Sequence, residues 1–272
     1  MKLQFLGTAA AEGFPAVFCN CKFCQEAKAL GGKNIRTRSQ AIINDDLLLD
    51  FPADTYHHFL QNNIDGDKIK YLFVTHSHAD HLYVDDLAMR KSAYSHDMRE
   101  EMLYIYCSAG AYEKISKLGP KLRGAQLQAL EPFQTVCAGA YEVTALPARH
   151  AAGDGALIYI IRGDKTILYA HDTGYFYEEV FDFIEKNGIV FDLVTLDCTC
   201  VDIIVDDESF HMGIPNNQRV FARLEQIGAV TDQTVRYINH FSHNANPVHH
   251  VLEERVASLG YRVSYDGCCV EL

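Results

Sequence analysis

Thr75-His76-Ser77-His78-Ala79-Asp80-His81 gathers three imidazoles and a carboxylate within six positions. Such groups repel one another and resist desolvation unless they share a cation, so the run is a candidate metal site. Imidazole with carboxylate suits zinc, iron or manganese, and residue type alone does not choose among them. The preceding Ile69-Lys70-Tyr71-Leu72-Phe73-Val74 reads as a short strand, which places the chemistry at a strand end. His76 and His78, two residues apart, point the same way if the extended conformation persists, while Asp80 and His81 then face another direction. One segment can thereby serve two adjacent ions.

A second run, Cys19-Asn20-Cys21-Lys22-Phe23-Cys24, packs three thiols into six residues. The chain carries nine cysteines, an odd number, and the apolar part of Met1 to Ala10 is short and broken by Gln4, unlike an export signal. Thiols and zinc thiolates are therefore expected rather than a disulfide framework, with a fourth ligand drawn from elsewhere.

The pattern H-x-H-x-D-H in residues 76–81 resembles the signature of the metallo-β-lactamase superfamily, αβ/βα sandwiches that hydrolyse substrates with one or two metal ions. The resemblance implies three further ligands at later strand ends. Tyr141 to Leu146 alternates like a strand and leads to Pro147-Ala148-Arg149-His150, where His150 is the expected third imidazole of the first ion. A hairpin of Leu157 to Arg162 and Lys165 to Ala170 delivers His171-Asp172-Thr173-Gly174, similar to the family's D-T-G loop. Asp172 is then the carboxylate bridging both ions, the competing role being a cap on a helix starting near Tyr177.

Leu193 to Leu196 ends in Asp197-Cys198-Thr199-Cys200, which resembles the D-C-T segment of phosphodiesterase-like branches. His211, in Phe210-His211-Met212-Gly213, holds the family position of a general acid, against a plain helix-entry histidine. Val235 to Ile238 leads to Asn239-His240-Phe241-Ser242-His243; the resemblance assigns His240 to the second ion and His243 to the three cysteines. C-x-C-x-x-C near the start with H-x-x-H near the end resembles the PhnP-type cyclic phosphodiesterases. Asp50, ending the strand Leu47 to Phe51, has the family position of a residue supporting a metal-binding histidine. The family's glycine after D-H is replaced by Leu82-Tyr83-Val84, which makes Tyr83, with Arg149 and Asn244, a candidate substrate neighbour.

The expected fold is a four-layer αβ/βα sandwich of the α/β class in a single domain, residues 1–272, since 48% apolar content supports a large core and no repeat or linker-like tract divides the chain. His57 and His58, and likewise His249 and His250, fall on helical stretches and are expected to be solvated. A formal charge of −12 argues against nucleic acid and anionic membranes as partners. No apolar run of spanning length occurs, and the expected location is the cytoplasm, with a homodimer left open.

The expected enzyme is a binuclear hydrolase. His76, His78 and His150 hold one ion, Asp80, His81 and His240 the other, with Asp172 shared; Asp80 and His211 are its catalytic residues. Two zinc, manganese or iron ions about 3.5 to 4 Å apart bring the pKa of a shared water from about 15.7 toward 7, and the resulting hydroxide attacks in line. Cys19, Cys21, Cys24 and His243 hold one structural zinc. Small cyclic or linear phosphodiesters are the expected substrates, with thioester or lactone hydrolysis, or a non-catalytic metal-binding accessory or sensor, as alternatives.

Overall fold

Alternating apolar residues build two mixed seven-stranded sheets in a computed structural model that describes residues 1–272. The first sheet takes β1 (Lys2–Gly7), β2 (Gln40–Ile43), β3 (Leu47–Leu49), β4 (Tyr71–Val74), β5 (Leu103–Cys107) and β6 (Ala125–Ala129) in that order. The second runs β7 (Thr135–Ala138), β8 (Tyr141–Pro147), β9 (Leu157–Arg162), β10 (Thr166–Ala170), β11 (Leu193–Asp197), β12 (Val235–Asn239) and β13 (Arg262–Val263). The last strand, β14 (Cys269–Glu271), returns to pair antiparallel with β1. Strands β6, β7 and β13 carry weak signals in the sequence; the alternation of β6 is spent on alanine and glutamine at a sheet edge.

The sheets face each other across a core to which Phe5, Leu49 and Phe73 contribute from one side and Val143, Tyr159 and Tyr169 from the other. Phe73 meets Tyr159 edge to face at 5.5 Å, and the buried Tyr159 hydroxyl donates to Val74 O, so the two layers are joined by both packing and a hydrogen bond. Helices cover the outer faces. In chain order they are α1 (Lys22–Leu30), α2 (Thr55–Asn62), α3 (Val84–Leu87), α4 (Ala109–Ser116), α5 (Glu178–Lys186), α6 (Ile214–Gln226) and α7 (His249–Val256). Leu87 and Ile115 pack on the first sheet, and Phe181, Leu224 and Leu252 on the second, giving the expected αβ/βα layering. No helix is long and apolar enough to cross a membrane.

Strands β3 to β6 run parallel to one another, as do β10 to β13. Parallel strands present all their carboxyl ends at one edge, which is where loops from such sheets build sites. Every strand that leads into a candidate ligand ends there.

Two of the four histidines expected to be solvated are buried instead. His58 is 1% exposed, with ring nitrogens 2.5 Å from Gln40 Oε1 and 2.6 Å from Thr37 Oγ1. His249 is 4% exposed and accepts from Arg36 Nη2 at 3.1 Å. In both cases the partners come from distant segments, so each histidine sits on the inner face of its helix. His57 and His250 are exposed.

Burial holds His58 neutral, its pKa lowered to about 4. With a folded pKa below the unfolded one, stability is whole above about pH 6.5 and is lost as pH falls toward 4. From pH 7 to pH 4.5 the loss from this group is about 2 kcal/mol. Denaturant unfolding of His58→Gln at the two pH values should show a smaller fall than the parent by about that amount; an equal fall would contradict it.

Candidate metal centre

The heptad leaves β4 in a loop that buries His76 and His81 fully and leaves His78 exposed. β10 delivers Asp172, β11 Asp197 and β12 His240, while β8 leads to His150. Ligand atoms of His76, His78, His150 and Asp172 lie within 4.8 Å of one another, as do those of Asp80, His81, Asp172 and His240. The seven residues expected at the binuclear centre are thus brought together in two sets that share Asp172. Three of the strand-end residues there, Asp50, Asp172 and His240, adopt φ of 64°, 54° and 64°. Left-handed backbone is costly for non-glycine residues and persists where the surroundings over-determine it, here to swing side chains inward.

Each of four imidazoles is held through Nδ1. His81 Nδ1 lies 2.7 Å from Asp50 Oδ2, His76 Nδ1 3.0 Å from Thr75 Oγ1, His240 Nδ1 2.8 Å from Thr199 Oγ1 and His150 Nδ1 3.2 Å from the carbonyl of Phe210. The two hydroxyls have acceptors of their own: Thr75 donates to Asp50, and Thr199 to Asp197. An Nδ1–H donated to such a partner leaves Nε2 as a lone pair aimed into the cleft. His81 Nε2 and His240 Nε2 accordingly face each other at 3.4 Å, and His150 Nε2 faces His78 Nδ1 at 3.1 Å.

Buried lone pairs so close together are short of protons. His76 Nε2 is buried with no hydrogen-bond partner. Burial pushes His76 well below its ordinary pKa, leaving the ring neutral and able to ligate. Burial opposes charge on Asp172 as well, yet His240 and His81 outweigh it and hold the carboxylate ionised. An orphaned imidazole nitrogen beside an ionised carboxylate, with further ligand atoms within 4.8 Å, fits divalent cations of the zinc, manganese or iron type.

His211 stands at the mouth, 3.2 Å from both Asp172 Oδ1 and Asp197 Oδ2 through Nδ1. Burial works against its charge, but Asp197 and Asp172 prevail and push its pKa up to about 11. Beside His78 a cavity of about 480 Å³ opens, lined by polar residues that include Lys114 and Asp154. A larger one of about 590 Å³ lies between α2 and the first sheet; its lining is mostly apolar and holds none of the candidate ligands. Phe51 bridges to Leu82, and this pairing shapes the loop that lacks the family's glycine. Tyr83 is 39% exposed beside it. Arg149 is committed elsewhere, paired with Glu208 at 2.7 Å and stacked on Tyr177, and the exposed Asn244 bonds Ser242.

Cys19, Cys21, Cys24 and His243 also converge within 4.8 Å, with Cys21 Sγ 3.8 Å from His243 Nδ1. The hydrogen bond to His243 lowers the Cys21 pKa to about 6, whereas burial raises Cys24 to about 11. Their loop joins the segment after His240, Ala10 N donating to Phe241 O and Ser242 Oγ to Glu12. The anchoring residues Thr75, Asp197 and Thr199 escape a search for ligands; their strand-end positions are the signal. Asp197→Asn removes one of the two carboxylates that keep His211 charged. In chelated protein, imidazole NMR should find His211 losing its proton at lower pH than in the parent, and an unmoved titration would contradict this.

No curated protein sequence matches the chain. Among solved structures, the Zn²⁺-bound PqqB of Methylobacterium extorquens superposes with TM-score 0.76 at 18% identity, with all of each chain covered. A diphosphatase of the PhnP family gives TM-score 0.76 at 17% identity over 100% of this chain and 96% of its own. The metallo-β-lactamase fold protein YhfI of Bacillus subtilis gives 0.72 at 19%, over 100% and 99%. At such identities the likeness is one of fold. The model of the beta-lactamase superfamily domain matches residues 49–236. With the fold and the H-x-H-x-D-H centre, this places the chain in the metallo-β-lactamase superfamily, whose members are mostly metal-dependent hydrolases.

Proposed function

We propose that the protein is a phosphodiesterase that works with two divalent ions, one held by His76, His78 and His150, the other by Asp80, His81 and His240, with Asp172 shared. The observation that carries the reading is the convergence of two sets of ligand atoms, each within 4.8 Å, on the shared Asp172, with His76 Nε2 left unpartnered. Zinc or manganese, with iron as a third choice, supplies Lewis acidity toward a phosphoryl oxygen and makes water acidic near neutral pH. Asp80, 6% exposed, orients the attacking water. His211 keeps Nδ1 on Asp197 and Asp172 and offers Nε2 to the leaving oxygen. Were Asp172 engaged in ligation, part of the field that raises His211 would be removed, favouring release of its proton.

Small diesters suit the cleft better than RNA, because a net charge of −12 gives little attraction to a polyanion. The three-cysteine loop and the D-C-T segment support the diester over a thioester or lactone, as does the fold likeness to a PhnP-family diphosphatase. The reading includes a cytoplasmic location and a third, structural zinc on Cys19, Cys21, Cys24 and His243.

Purified protein with both positions filled by manganese or zinc, verified by elemental analysis, should hydrolyse bis(p-nitrophenyl) phosphate faster than a thioester or a lactone. His76→Ala should lower that rate at least about a hundredfold. Preference for the thioester or lactone would reassign the substrate, and no turnover of any of them would leave a metal-binding accessory or sensor. In Cys24→Ser the zinc content should fall by one equivalent with the other two ions retained; an unchanged content would remove the structural zinc from the account.

A further inference from the structure

Phe210 precedes His211 and borders His150, with 53% of its surface exposed. Its backbone is pinned on every side. Ser209 O packs where a Cβ on Gly174 would come within 1.8 Å, Phe210 O pairs with His150 Nδ1, and Met212 N donates to Asp197 Oδ1 at 2.9 Å. The ring stands edge-on to His150, 6.3 Å between centroids at 85°. Ile203 and Ile204, earlier in the same loop, are 48% and 85% exposed. Phe210 thus puts an exposed aromatic ring beside His211, whereas the cavity beside His78 is lined mostly by polar residues.

From this placement we infer that Phe210 determines specificity. It is a platform for a flat, uncharged ring, a nucleobase or aryl group, on the ester arm whose oxygen departs beside His211. The inference rests on the phosphodiesterase reading. In the step concerned, water adds to phosphorus and releases a proton to solvent, the P–O bond to that arm breaks with its electron pair on the departing oxygen, and that oxygen takes the proton from His211, which solvent then restores. Aromatic faces stack with planar rings of any base. The arm carries no second phosphate, because the loop before Phe210 bears Asp206, Asp207 and Glu208, and the nearby cations Arg219 and Arg149 are already paired with Asp207 and Glu208.

Adenosine 2′,3′-cyclic phosphate and glycerol 1,2-cyclic phosphate share the same strained five-membered diester and differ in the nucleoside. With metal-loaded protein, kcat/KM should favour the adenosine compound by at least about tenfold; Phe210→Ala should shrink that ratio at least about fivefold, chiefly through KM, and Phe210→Tyr should keep it. A parent without preference, or a variant that slows both substrates equally, would overturn the platform. Calorimetry with adenosine 2′-phosphate against glycerol 2-phosphate reads the same ratio without turnover. A retained affinity ratio with neither cyclic diester hydrolysed would overturn the phosphodiesterase reading and uphold the platform, while equal affinities in the parent would overturn the platform whatever the turnover.

Discussion

A carboxylate 3% exposed, ionised, and approached by imidazoles from both sheets is the constraint on which this architecture turns. Asp172 Oδ2 lies 2.8 Å from His81, 3.4 Å from His76 and 3.7 Å from His150, and Oδ1 lies 3.4 Å from His240. A buried charge of this kind is tolerable only with compensation, which the protonated His81 and His211 beside it supply in the metal-free protein. Bound cations would take over that role, and the convergence of ligand atoms around Asp172 suits them.

The fold satisfies the constraint through one edge. β4 from one sheet and β8, β10, β11 and β12 from the other all end there, and tight left-handed turns at Asp50, Asp172 and His240 redirect side chains that would otherwise follow the strands. Asp50, Thr75 and Thr199 then set the imidazoles with Nε2 inward. The inter-sheet core around Phe73 and Tyr159 fixes the distance between the halves, so a core residue far from the chemistry still governs whether two ligand sets can share one carboxylate. The cysteine loop braces the same edge beside His240, which gives it a structural logic of its own.

Much of this is legible in the sequence. Strand periodicity with punctuation by Gly and Asp located the strand ends, and the spacing of the heptad identified the metal chemistry. Asp172 and His240 needed the family resemblance, since a lone Asp or His at a strand end has no diagnostic spacing. What stayed hidden depended on partners far away in sequence. His58 and His249 read as helix-surface residues because helical periodicity shows a face but not what packs on it; Gln40, Thr37 and Arg36 decide the matter. Arg149, a candidate substrate neighbour by sequence, is paired with Glu208, 59 positions away. Left-handed turns at non-glycine residues leave no trace in composition at all.

Anomalous diffraction at the metal edge, from crystals of protein loaded with manganese or zinc, tests the central claim most directly. The account predicts two peaks flanking Asp172, one against His76, His78 and His150 and the other against Asp80, His81 and His240, with both weakened in Asp172→Asn. Peaks elsewhere, or a pair undisturbed by that substitution, would contradict it.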